Sequence, residues 1–230
     1  MAHLGNRLEK LYIIGDVHGC YDTLMALIEK LLDPNPKLVF VGDLVDRGNR
    51  SAQVIEFVKS NNYDCVIGNH EIYMLEALRA KSSFADDCIL KDRLWKENGG
   101  SLTLKSYHRE DGAISIKEHY QWLENLPHYL KYDIKDEEGR TLLVTHGVGL
   151  PFYDMLDACK EEITTNRTMI ETEWNNVVNV FGHSPFKDVK FYLNYIGIDT
   201  GCIYGKKGKE GYLTAIEWPS KKIYQQAYIG

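Results

Sequence analysis

No stretch of this sequence is apolar for long enough to span a bilayer, and its short polar amino terminus has no apolar core of the kind a signal peptide needs. Nor is there an excess of basic residues. The 27 Lys and Arg stand against 33 Asp and Glu, and the formal net charge of -6 argues against nonspecific nucleic-acid binding, which needs a broad basic surface. Cysteine is scarce: Cys20, Cys65, Cys88, Cys159 and Cys202 are odd in number, scattered, and form no Cys-x-x-Cys pair. A reducing compartment fits them better than a disulfide framework does. Internal repeats, low-complexity segments and linker-like stretches are also missing. The expectation is a soluble cytoplasmic protein with no membrane or nucleic-acid partner, whose attraction for any anion must be local. The 230 residues, 44% of them hydrophobic, suffice for one sizeable core, so 1–230 reads as one domain, although length alone would also allow two small ones.

What is present is a set of five polar motifs, each placed just after a short apolar run. They are Gly15-Asp16-Val17-His18-Gly19, Gly42-Asp43-Leu44-Val45-Asp46-Arg47-Gly48, Gly68-Asn69-His70-Glu71, His146-Gly147 and Gly182-His183-Ser184-Pro185. The runs before them, 11–14, 38–41, 65–67, 142–144 and 177–181, are rich in branched residues and read as buried strands. Loops at the carboxyl ends of neighbouring strands converge on one crevice, where ligands of α/β proteins usually sit. In isolation the first motif reads equally well as an ordinary strand-to-helix turn; the other four remove that parity. The remaining histidines, His3, His108, His119 and His128, lie outside such motifs and read as surface or packing residues.

Asp16, His18, Asp43, Asn69, His146 and His183 supply carboxylate, amide and imidazole groups without a thiolate. Such mixed oxygen and nitrogen donors suit manganese, with iron or zinc as alternatives. Six ligands around one ion would leave no room for water or substrate, whereas two ions sharing Asp43 divide them sensibly. A pair of ions is the usual clamp for in-line displacement at phosphorus. Two dications, two carboxylates and one hydroxide leave net positive charge, to which Arg47 adds, and that charge points to an anionic substrate.

The five motifs, in this order, resemble the calcineurin-like metallophosphoesterase superfamily, and more narrowly its phosphoprotein phosphatase branch in compact bacterial or phage form. The resemblance runs from about Leu11 to Gly201 and includes Asn98-Gly99-Gly100 and Ile198-Asp199-Thr200-Gly201, recurrent segments without an assigned role. It implies that Asp16, His18 and Asp43 hold a first metal, and that Asp43, Asn69, His146 and His183 hold a second. It implies His70 as general acid, Asp46 as the carboxylate that orients it, and Arg47 and Arg167 as phosphate clamps. A carboxylate beside an imidazole stabilises its cationic, proton-giving form. The reaction implied is direct attack of a metal-bridging hydroxide on a phosphomonoester, most simply phosphoserine or phosphothreonine in a protein.

A dinucleoside-polyphosphate hydrolase acting on diadenosine tetraphosphate is the alternative. Relatives of that kind usually have Gly-Asn-His-Asp and lack an aspartate before Arg-Gly, so Glu71 and Asp46 weigh for the protein phosphatase. A catalytically inactive binding module is a third reading, disfavoured because no ligand is missing. The expected partner is thus a phosphorylated protein or a small phosphoester substrate.

Periodicity supplies the architecture: α+β or α/β, two packed mixed sheets forming a β-sandwich flanked by helices. Asp22 is expected to cap a helix running to about Leu32, Ser51 to cap one over 52–60, and Glu71–Ala80 to continue from His70. Helices are also expected over 90–96 and 117–125, with Arg167 in a helix-like stretch. Strands are expected over 129–134, 141–145, 189–193, 195–199, 212–218 and 223–228. The lysine-rich 205–211 segment reads as a hairpin tip, and Phe152 and Tyr153 either border the groove or pack on the sheet. Cys20, at a helix start near the metals, reads as a packed residue rather than a redox switch.

Overall fold

The computed structural model describes residues 10–81, 92–109 and 114–229. Strand β1 (Leu11–Ile14) is an uninterrupted apolar run because it is central: it pairs in parallel with β2 (Lys37–Phe40) on one side and antiparallel with β9 (Tyr212–Trp218) on the other. With β3 (Asp64–Cys65) and β10 (Lys222–Ala227) these make a sheet in the order β10-β9-β1-β2-β3. The second sheet runs β4 (Tyr129–Tyr132), β5 (Thr141–Thr145), β6 (Val177–Phe181), β8 (Tyr195–Gly197) and β7 (Lys190–Tyr192). Its three middle strands are parallel, and its two edge strands are antiparallel to their neighbours.

The two sheets pack face to face, as the sequence predicts, and the period of two along each strand sorts the side chains. Leu11, Ile13, Val39 and Val41 of the first sheet meet Leu142, Val144, Val178 and Val180 of the second in one buried cluster. The alternate residues Tyr12, Ile14, Leu38 and Phe40 face outward, where helices cover them. Those helices include α1 (Tyr21–Ile28), α2 (Ser51–Ser60), α3 (Asn69–Lys81), α4 (Ser101–Arg109) and α5 (Ile116–Leu123). On the far face, Leu143, Val177, Phe181 and Tyr195 pack with Leu150, Leu156 and Ile163, the last from α6 (Lys160–Thr165).

Several boundaries differ from expectation for identifiable reasons. Helix α1 stops at Ile28, and Asp22 lies in its first turn, bonded to Arg50 at 3.0 Å, while Cys20 occupies the cap position. Ser51 opens α2 instead of capping it, and its hydroxyl accepts the Asp46 backbone N–H at 3.1 Å. β3 ends at Cys65 because Ile67 turns its N–H to the Pro127 carbonyl at 2.9 Å. Helix α4 is additional to the expected elements: its inner face mixes the buried polar Thr103 and Ser106 with Leu104 and Tyr107, which weakens the apolar stripe. The expected 90–96 helix lies partly outside the described residues; 92–95 are helical and lead into a π-helical turn over Lys96–Gly100.

The lysine-rich segment is not a hairpin tip. Cys202–Lys207 forms a 3-10 helix that carries the chain from β8 in one sheet to β9 in the other. Phe152 and Tyr153 pack on the second sheet, Tyr153 against Trp174 with ring centroids 4.7 Å apart. No described helix is long and apolar enough to cross a membrane.

Candidate active site

The motif loops leave the carboxyl ends of β1, β2, β3, β5 and β6 at one edge of the sandwich, so side chains from both sheets meet there. Asp16, His18, Asp43, Arg47, Asn69, His70, Arg167 and His183 line one pocket of about 260 Å³, joined by Asp199 and Tyr204. His146 and Asp46, both 0% exposed, pack immediately behind. All ten residues singled out in the sequence are thus brought together. A larger cleft of about 680 Å³ lies at the other ends of β1 and β2 and contains none of them.

The local backbone is held in conformations that non-glycine residues avoid. His18, Asp43, Asp46, Arg47 and His183 all have φ between 45° and 71°. Such residues cost on the order of 1–3 kcal/mol each and cluster at functional sites, where surrounding bonds over-determine them. Here the bonds are visible. The N–H groups of Val17 and His18 donate to the Asp43 carbonyl at 3.2 and 2.8 Å, and Gly19 N–H donates to Leu44 at 2.8 Å. Glu71, fully buried, accepts four backbone N–H groups: Asp43 at 2.8 Å, Gly68 at 2.9 Å, Leu44 at 2.8 Å and Val45 at 3.2 Å. Gly182 is required for close approach, because a Cβ there would overlap Oδ1 of Asp16.

Carbonyl partners fix two tautomers. His18 Nδ1 donates to the Val45 carbonyl at 2.8 Å and His146 Nδ1 to the Val41 carbonyl at 2.7 Å, since a carbonyl only accepts. Both rings therefore turn Nε2 toward the site. His146 Nε2 lies 3.2 Å from Asp43 Oδ1 and 3.0 Å from Asn69 Oδ1, and His183 Nδ1 lies 2.8 Å from the same amide oxygen. Lone-pair atoms so crowded need a proton or a cation between them, and the donor set fits divalent ions. Two groups have ligand atoms within 4.8 Å of one another, His18–Asp43–His70 and Asp16–Asp43–His146, and Asp43 belongs to both. The grouping differs from the expected one in placing His70 beside Asp43 and Asp16 beside His146.

Electrostatics follow burial and neighbours. Burial pushes His18 down to about 3, and burial with His146 and Arg167 nearby does the same to His183, so both present neutral imidazole. His146 is buried too, yet Asp43 and Asp16 pull it up to about 10. Burial and the Asp199 carboxylate raise Asp16, and Asp199 itself is pushed by burial up to about 6. For His70, burial is outweighed by Asp43 and Asp46, and its affinity for a proton rises. Asp46 is raised by burial, while His70, Thr103 and Trp95 pull the other way.

His70 Nδ1 meets Asp46 Oδ2 at 2.7 Å. Arg47 donates through Nη1 to His18 Nε2 at 2.7 Å and through Nη2 to His70 Nε2 at 2.8 Å. Arg167 reaches the pocket from a loop, not the expected helix: α6 ends at Thr165, and Asn166 turns away to bond the Val148 carbonyl at 3.0 Å. Its Nη1 donates to the His183 carbonyl at 2.9 Å. Sequence reasoning missed Trp95, Thr103 and Tyr204. Only Trp95 left a signal, standing three residues before the Asn98-Gly99-Gly100 segment.

A family model for calcineurin-like phosphoesterases matches residues 9–195. The chain belongs to that family. Among curated proteins, this phosphoesterase is 27% identical over 241 residues to the asymmetrical bis(5'-nucleosyl)-tetraphosphatase PrpE of Anoxybacillus flavithermus, covering 90% of this chain and 89% of that one. It is 28% identical over 270 residues to the symmetrical bis(5'-nucleosyl)-tetraphosphatase of Actinobacillus pleuropneumoniae, covering 94% and 97%. Among solved structures, a candidate diadenosine tetraphosphatase superposes with a TM-score of 0.70 at 24% identity, covering 99% of this chain and 97% of that one, which bears on the fold. The phosphoesterase is thus a hydrolase of a binuclear-metal family, and among the described residues two groups of side chains could each hold a metal ion.

Proposed function

We propose that this phosphoesterase hydrolyses a dinucleoside polyphosphate of the diadenosine tetraphosphate type. The observation that carries the proposal is similarity to bis(5'-nucleosyl)-tetraphosphatases of both cleavage types over 89% and 97% of their lengths. This reverses the order of the two enzymatic readings made from the sequence. Glu71 and Asp46 were weighed there as marks of a protein phosphatase. Yet Glu71 spends its carboxylate on four backbone N–H groups, Asp46 is 0% exposed, and neither lines the pocket, so neither reads the substrate.

In this reading Asp16, His18 and Asp43 would hold one divalent ion, and Asp43, Asn69, His146 and His183 a second, with manganese preferred and iron or zinc as alternatives. When bound, such ions supply Lewis acidity toward water and the phosphoryl group. The chain's own residues do the rest. His70 carries a proton on Nε2 for the leaving oxygen, and Asp46 orients and charges its ring from the Nδ1 side. Arg47 and Arg167 bind phosphoryl oxygens. With His18 Nε2 given to a cation and His70 Nε2 protonated, neither imidazole accepts a bond from Arg47, and its guanidinium turns to the substrate. Free thiols at Cys20, Cys65, Cys159 and Cys202 support a reducing, cytoplasmic setting.

The test is turnover of diadenosine tetraphosphate, a phosphoserine peptide and a phosphotyrosine peptide with added manganese. Preferred cleavage of the dinucleotide is expected, and ATP with AMP or two ADP identifies the bond broken. Preferred cleavage of either peptide would restore the protein phosphatase reading, and no turnover with any divalent ion would favour the binding module.

A further inference from the structure

Two polar groups behind the site have no part in the roles above. Trp95 is 0% exposed, yet its indole Nε1 donates to Oδ1 of Asp46 at 2.9 Å. Thr103 Oγ1 donates to the same oxygen at 2.7 Å and accepts the Asp46 backbone N–H at 2.9 Å. The second carboxylate oxygen, Oδ2, faces His70 Nδ1. No solvent reaches Asp46 to compete for either oxygen.

Two donors on one oxygen fix the plane of a carboxylate, because any rotation that carries Oδ2 away from His70 also breaks both bonds at Oδ1. Each of these bonds has a charged acceptor and is stronger than a neutral one. The segment that brings the indole here is built around close contact. A Cβ on Gly100 would lie 2.5 Å from ring carbons of Trp95, so only glycine lets the π-helical turn close over the indole. That gives the Asn98-Gly99-Gly100 segment a physical task.

We propose that Trp95 and Thr103 are positioning residues that hold the Asp46 carboxylate in the plane from which it aims His70 at the leaving oxygen. The proposal rests on the reading of His70 as general acid. In that step the proton on His70 Nε2 passes to the leaving oxygen as the bond from that oxygen to phosphorus breaks. Misaiming the ring therefore costs most when the leaving group is a strong base and least when it departs unaided. Residues that merely fill space would slow both kinds of substrate alike.

The experiment uses the full chain with added manganese and compares p-nitrophenyl phosphate with phenyl phosphate, whose phenoxide is the more basic leaving group. Trp95→Phe and Thr103→Val are expected to lower kcat on phenyl phosphate about 10- to 100-fold, less than the roughly 10²–10⁴-fold that general acid catalysis supplies as a whole. Their loss on p-nitrophenyl phosphate should be several-fold smaller, with KM little changed on either substrate. Thr103→Ser, which keeps the hydroxyl, should restore the wild-type ratio, and His70→Asn should show the same selectivity more strongly. Equal losses on both substrates in Thr103→Val, or none, with His70→Asn still selective, would overturn the positioning role and leave the acid standing. A uniform loss in His70→Asn would remove the acid reading and the proposal with it. Thermal unfolding checks each variant, and the near-isosteric Thr103→Val decides alone if Trp95→Phe does not fold.

Discussion

The backbone N–H of Asp43 donates to Oε2 of Glu71 at 2.8 Å, which ties the loop after β2 to the first turn of α3. Three further N–H groups, from Gly68, Leu44 and Val45, share the same carboxylate. Glu71→Gln replaces one acceptor oxygen by an amide that faces N–H donors, so we expect it to destabilise the fold by about 2–4 kcal/mol, as unsatisfied buried donors do. Urea unfolding should show a lower midpoint at unchanged m. Glu71→Asp should also destabilise, but should leave the ratio of dinucleotide to phosphopeptide turnover where it was. A changed ratio would return Glu71 to the substrate site.

His70→Ala should slow hydrolysis roughly 10²–10⁴-fold if the ring acts as general acid. Metal content, measured by elemental analysis after gel filtration, should stay nearly the same. His70 lies close enough to His18 and Asp43 to be a ligand instead. Loss of about one equivalent of metal would make it one.

Arg47 spans His18 and His70 with its two terminal nitrogens, a fork that matches two phosphoryl oxygens. Arg47→Ala should lower kcat/KM by about 10- to 100-fold, the equivalent of losing hydrogen bonds to a charged group. Arg47→Lys should recover little of it, because an ammonium is a point charge without the fork. Full recovery by lysine would reduce the residue's role to charge alone.

Acid stability should depend on Asp136, far from the site. Burial raises its affinity for a proton, but Lys221 at 2.9 Å and Arg140 at 2.8 Å outweigh it and hold the carboxyl at about 2. A folded value depressed below the unfolded one contributes stability that is complete above about pH 5 and is lost as pH falls toward 2, about 2 kcal/mol in all. Asp136→Asn should flatten that part of the stability curve between pH 5 and 2. An unchanged slope would show that the cluster is fully screened by solvent.

The sequence was most legible where burial alone decides conformation. β1, β6 and β9 are largely apolar because they have a strand on either side, and their limits read correctly from Leu11, Val177 and Tyr212. The site was legible because each expected ligand follows a short apolar run that leads to the same edge of the sandwich. Helix α4 was not, since two of the residues it buries, Thr103 and Ser106, face polar partners: Asp46, and the N–H of Ala52 at 3.0 Å. The 205–211 segment was misread because glycine and lysine mark a turn but not which strands it joins. Substrate class was the least legible part, because a residue inside a motif need not face the pocket. Glu71 and Asp46 sit inside recognisable motifs, and only the structure shows that the Glu71 carboxylate accepts four backbone N–H groups while that of Asp46 meets His70.

Asp16, His18, Asp43 and Asn69 come from one sheet, and His146 and His183 from the other. In the assignment proposed above, the second ion would draw on both layers of the sandwich and act as a rivet between them, so its binding free energy would also be folding free energy. Starving the enzyme of metal should loosen the seam between its sheets as well as silence it, so that inactivation and susceptibility to proteolysis rise together.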